Sequence, residues 1–66
     1  MAGNTRGKIK EHLEGMHKNC DWQIHHCEQL LELIQEKHPT LTESVQTLAK
    51  SVTAIDEFTM SIYAKV

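Results

Sequence analysis

Sixty-six residues bound one small domain, and chains this short bury only about 60% of their unfolded surface, so a staple, a metal or oligomerisation commonly completes the fold. Apolar residues make up 39% of the chain, with three aromatics, one proline and three glycines, a balance that favours helices and excludes a sandwich or barrel core. A net charge of −2 from 7 basic and 9 acidic residues of interspersed sign leaves no electrostatic footprint for nucleic acid, and no apolar run approaches the about 20 residues of a membrane span.

Met1–Asn4 carry no periodicity and are read as a disordered tail, as chain termini commonly are. A first helix is predicted over about 5–37, opened by Asn4 or Thr5 as a cap and weakened by Gly7 in its first turn. Its apolar positions are Ile9, Leu13, Met16, Cys20, Ile24, Cys27, Leu31 and Ile34, at spacings of 4, 3, 4, 4, 3, 4 and 3. That is a heptad seam with one four-residue insertion between Cys20 and Ile24, a stutter that relaxes a left-handed supercoil. The stretch Cys20–Ile34 carries a second stripe as well: Trp22, His26, Leu30 and Leu33 lie a third of a turn or more around the helix. One stripe serves one partner. Two stripes call for two, and a chain of this length supplies only one of them itself.

Lys37-His38-Pro39 ends the first helix, because the residue before proline is pushed out of the α region. The turn is expected over 38–40, and Thr40-Leu41-Thr42-Glu43 reads as a capping box for a second helix over about 41–64. That helix carries Leu41, Val45, Leu48, Val52, Ile55, Thr59, Ile62 and Val66, whereas Thr42, Ser44, Gln46, Lys50, Asp56 and Glu57 look solvated. A connection of two or three residues makes the helices antiparallel neighbours. The expected architecture is therefore an all-α, coiled-coil-like two-helix hairpin. Its core is Leu13, Met16, Cys20, Ile24, Cys27, Leu31 and Ile34 against Val45, Leu48, Val52, Ile55 and Ile62. The stripe of Trp22, His26, Leu30 and Leu33 remains for an oligomer or partner interface. The economical solution is a homodimer forming a four-helix bundle, with larger helical homo-oligomers as the alternative.

The cysteines and histidines invite metal or redox chemistry. His17, Cys20 and Cys27 are the candidate ligands, since thiolate and imidazole suit zinc and copper. Their spacing argues against it: Cys27 lies two turns from Cys20, His25 points away, and neither a CxxC nor an HxxxH pair is present. The competing reading, that both cysteines fill small core positions, is the simpler one. About 10 Å of helix separates them, so they cannot bridge one another within a helical chain. An intermolecular Cys20–Cys27 approach would require the cysteine stripe to face the partner. No phosphate loop, paired-carboxylate signature or nucleophile elbow is present, so no enzyme and no cofactor is expected.

The five histidines read as surface groups, with His26 the one on a predicted interface. Arg6, Lys8 and Lys10 form a small basic cluster that Glu11 and Glu14 interrupt, a weak candidate for nucleic acid or an anionic ligand. Read as a complete small gene product beginning at Met1 without an apolar leader, the chain is expected in the cytoplasm with reduced thiols. The function that follows is a non-enzymatic, self-associating interaction protein acting by protein–protein contact, as an inhibitor, adaptor or assembly factor, phage-encoded ones included. The alternatives are a metal- or redox-responsive module on Cys20, Cys27 and nearby histidines, and a nucleic-acid or anion binder through the basic N-terminus.

Overall fold

The chain folds as two antiparallel helices joined by a tight turn. The computed structural model describes residues 2–66, with side chains from residue 5 onward. Helix α1 spans Ala2–Lys37, a 3₁₀ turn covers Pro39–Leu41, and α2 spans Thr42–Lys65. The hairpin measures 55 × 15 × 10 Å. Of the tail expected over 1–4, residue 1 and the side chains of 2–4 lie outside the described residues. The α1 backbone is helical from Ala2 rather than from Thr5, so α1 is 36 residues long against 24 for α2.

The break between the helices comes from Pro39. His38 leaves helical geometry at φ −136°, ψ 59°, as a residue preceding proline is driven to do. Its amide still donates to the Ile34 carbonyl at 2.8 Å, and its carbonyl accepts from the Leu41 amide at 3.0 Å. These two bonds turn the chain without a positive-φ residue. The capping box does not form. Thr40 lies inside the 3₁₀ turn, Leu41 takes the N-cap position in an αR conformation, and no side chain caps α2. Proline at the first position of the 3₁₀ turn preorganises that turn, which carries the helical path past Thr40 before α2 begins.

Every buried or half-buried residue among the described ones falls on one row per helix. On α1 the row is Lys10, Leu13, His17, Cys20, Ile24, Cys27, Leu31 and Ile34; on α2 it is Thr42, Val45, Ala49, Val52, Asp56, Thr59, Tyr63 and Val66. Spacings alternate 3 and 4 without interruption on both helices, the repeat of a coiled coil. The expected stutter is absent. It arose from placing Met16 in the seam where the structure places His17, one residue further around the helix.

The same rotation by one residue explains the other differences from the expected core. Met16, Leu48, Ile55 and Ile62 are between 39% and 54% exposed, whereas Ala49, Asp56 and Tyr63 turn inward. Asp56, expected to be solvated, is half-buried. Leu13, Cys20, Cys27, Ile34, Val45 and Val52 are buried, and Ile24 and Leu31 are half-buried. Nearest the turn, Cys27, Ile34 and Val45 pack together with Leu31 and Ala49. Small side chains at this seam let the helices approach closely. The buried hydroxyl of Thr59 donates to the Ile55 carbonyl at 2.8 Å, so its burial leaves no donor unpaired.

Candidate functional site

Two features stand out from the seam, one on each flank. In an antiparallel pair, the residues immediately preceding the half-buried row of each helix share one edge of the hairpin. On α1 these are Ile9, Met16, Gln23 and Leu30; on α2 they are Leu41, Leu48, Ile55 and Ile62. Seven of the eight are apolar, and those seven are exposed. Two grooves between the helices follow this edge. One is lined by Gln23, His26, Cys27, Leu30, Leu48 and Val52, the other by Met16, Ala54, Ile55, Phe58, Thr59 and Ile62. The opposite edge carries Glu14, Asp21, Glu28 and Gln35 against Gln46, Thr53 and Met60. One flank is apolar on both helices and the other is largely polar.

The structure divides the four residues expected at an interface. His26 and Leu30 border the groove on the apolar flank. Trp22 and Leu33 stand clear of both grooves and are 64% and 72% exposed. The Trp22 indole instead lies against its own helix, stacked with His26 at 6.1 Å and edge-on to His25 at 6.0 Å between ring centroids.

On the polar flank, α1 and α2 are tied by side-chain contacts at the end away from the turn. His17 Nδ1 lies 2.6 Å from Asp56 Oδ1, and its Nε2 lies 3.6 Å from Asp21 Oδ2. The hydrogen bond to Asp56 raises the His17 pKa above its ordinary value; burial opposes this, and the charges of Asp56 and Asp21 reinforce it. The Tyr63 hydroxyl donates to Glu14 Oε1 at 2.9 Å, which with the Glu14 charge and burial holds the phenol protonated to higher pH. Lys10 Nζ sits 5.3 Å above the Tyr63 ring, a cation–π arrangement. This draws Lys10 out of the basic cluster it was expected to form with Arg6 and Lys8, both of which are exposed.

Both cysteines are free thiols buried in the seam. Burial pushes the Cys20 thiol pKa up, with the Asp56 and Asp21 charges adding to it, which makes it a poor nucleophile at neutral pH. The cysteine row faces the chain's own second helix, so the arrangement needed for an intermolecular Cys20–Cys27 approach is absent from this fold. His17, Cys20 and Cys27 do not form a common cluster. The donors that converge are His17, Asp21 and Asp56, whose ligand atoms lie within 4.8 Å of one another. Asp56 was hidden from sequence reading by its neighbour Ile55, the stronger hydrophobe. The i, i+4 spacing of His17 and Asp21 was the signal available.

No protein-family model, no curated protein and no solved structure matches this chain. Among the described residues, no helix is long and apolar enough to cross a membrane.

Proposed function

We propose that this chain is a non-enzymatic, self-associating helical protein that acts by protein–protein contact, its hairpins pairing through the apolar flank into a four-helix bundle. The apolar flank carries this reading: seven of its eight residues are apolar, and all seven are exposed. The hairpin exposes 5401 Å², whereas a folded monomer of this mass is expected to expose about 4,300 Å². The elongated 55 × 15 × 10 Å shape accounts for that difference, and pairing along the flank would lower it.

The chemistry of the flank favours a second copy as its occupant. The edge from Ile9 to Leu30 and from Leu41 to Ile62 carries no charged side chain in its two rows, so a two-fold axis brings apolar rows together without opposing like charges. Gln23 is the single polar member, and near a two-fold axis its amide can both donate and accept. Leu48 and Ile55, left half-covered within one chain, become the centre of the bundle. The resulting assembly presents its polar flanks and the Trp22–His25 surface outward, as an adaptor, inhibitor or assembly factor would require.

Light scattering across a dilution series, with and without a reductant and a chelator, tests the assembly. The expected mass is twice the 7.6 kDa of one chain, insensitive to both reagents, and Ile55→Asp is expected to lower it to a single chain. A wild-type protein that stays monomeric at every concentration overturns self-association and leaves the flank to a foreign protein.

A further inference from the structure

The contact between His17 and Asp21 has an unusual electronic arrangement. Asp56 Oδ1, a carboxylate acceptor, lies 2.6 Å from His17 Nδ1, so Nδ1 must carry the proton. Once the imidazole is neutral, Nε2 therefore holds a bare lone pair. That lone pair lies 3.6 Å from Asp21 Oδ2, which is also a lone-pair donor. A cation placed between them engages both.

We propose that His17 Nε2 and the Asp21 carboxylate, oriented by Asp56, bind a divalent transition-metal ion of the zinc class. The dimensions suit it. Zinc–nitrogen and zinc–oxygen bonds of about 2.0–2.2 Å at tetrahedral angles place neighbouring donors about 3.4 Å apart. The observed 3.6 Å separation needs almost no movement. Asp56 supplies the support that metal-bound histidines ordinarily have, a carboxylate accepting the remaining ring N–H and fixing the tautomer. All three groups keep a donor atom within 4.8 Å of the others, so the Asp56 carboxylate also contributes negative charge at the ion. An imidazole donor selects zinc, nickel or cobalt over magnesium and calcium, which prefer sets made wholly of oxygen. Water completes the coordination, since His17 and Asp21 side chains are 38% and 65% exposed.

The site differs from a cysteine-based one in both place and chemistry. Its two ligands lie on α1, with Asp56 supporting His17 from α2, on the polar flank opposite the face proposed for self-association, and so it remains open in either assembly state. A bound ion adds its binding free energy at the end of the hairpin where polar contacts supplement the seam, and metals commonly supply such support in chains of this size.

Calorimetric titration of zinc chloride into the metal-free protein at pH 8, paired with thermal melts followed by circular dichroism, tests the proposal. One ion per chain is expected, with a higher melting temperature when zinc is present. Asp21→Asn removes a ligand from an exposed position without touching the seam. It is expected to weaken binding by more than tenfold while leaving the metal-free melting temperature near wild type. Asp56→Asn is expected to cost 10–100-fold, the range for a group that orients a metal-bound histidine. A Cys20→Ser, Cys27→Ser double variant should bind as the wild type does. Absent binding, unchanged affinity in Asp21→Asn, or binding that disappears with the thiols would each overturn the assignment.

Discussion

The two halves of this hairpin share one buried seam and differ in the polar contacts added at the open end. Nearest the turn, Cys27, Leu31 and Ile34 pack on Val45 and Ala49, and no ion pair crosses between the helices among the described residues there. Towards the open end, Leu13, Cys20 and Thr59 are buried as well, and the helices also meet through His17 with Asp56, Glu14 with Tyr63, and Lys10 over the Tyr63 ring. Apolar burial has no charge to screen and no proton to exchange near neutrality. Exposed polar contacts respond to both. The seam therefore holds throughout, and the contacts added at the open end can be tuned by solution conditions.

The largest expected effect lies in the seam. Ile34→Ala, at a buried position beside Cys27 and Val45, should destabilise the chain by about 2–5 kcal/mol in chemical denaturation. An equal loss from Leu48→Ala in the monomeric state would erase the distinction between seam and flank, because Leu48 is half-exposed. In the dimer, by contrast, Leu48→Ala should weaken assembly.

The polar contacts at the open end should reveal themselves through pH. The folded-state pKa of His17 stands above the ordinary 6.5, so the folded chain binds this proton more tightly than the unfolded chain does. The stabilisation is complete below about 6.5 and fades as pH rises through the raised value. Melting temperatures of metal-free protein should therefore fall over that window, and His17→Ala should flatten the decline. A decline that persists unchanged in His17→Ala would assign it to another group.

Two smaller effects sharpen the contrast. Gly15 lies in the interior of α1, with open space where a side chain would project. Gly15→Ala should therefore stabilise the chain by about 0.5–1 kcal/mol through helix propensity alone. Trp22→Ala, on the outer face of α1, should change stability by no more than about 0.5 kcal/mol and leave the solution mass unaltered. A loss of assembly in Trp22→Ala would return the interface to the outer stripe.

The sequence made the elements legible because their signals are local and strong. Pro39 disfavours a helical residue at 38 and so divides one helical pattern into two. The short connection then dictates antiparallel packing. The rotation of each helix was less legible. Choosing the most apolar residue at each step selected Met16 over His17, Leu48 over Ala49, and Ile55 over Asp56. The seam took the smaller or paired residue each time. A polar residue can occupy such a row when its counterpart crosses from the other helix, and the pairing of His17 with Asp56 depends on a register that neither helix encodes alone. The surplus hydrophobicity was then displaced to one edge, where it marks the flank proposed for self-association.

The positions of the two thiols have a practical consequence. Cys20 lies beside the His17–Asp56 layer and Cys27 within the packed cluster near the turn, and both are almost fully shielded. Neither can react with an alkylating reagent until the helices part locally, so each thiol acts as a clock for opening at its own level. The ratio of their labelling rates reports the direction in which the hairpin unzips. Opening from the free ends modifies Cys20 first, and the interval before Cys27 follows measures how far that opening travels before the chain recloses.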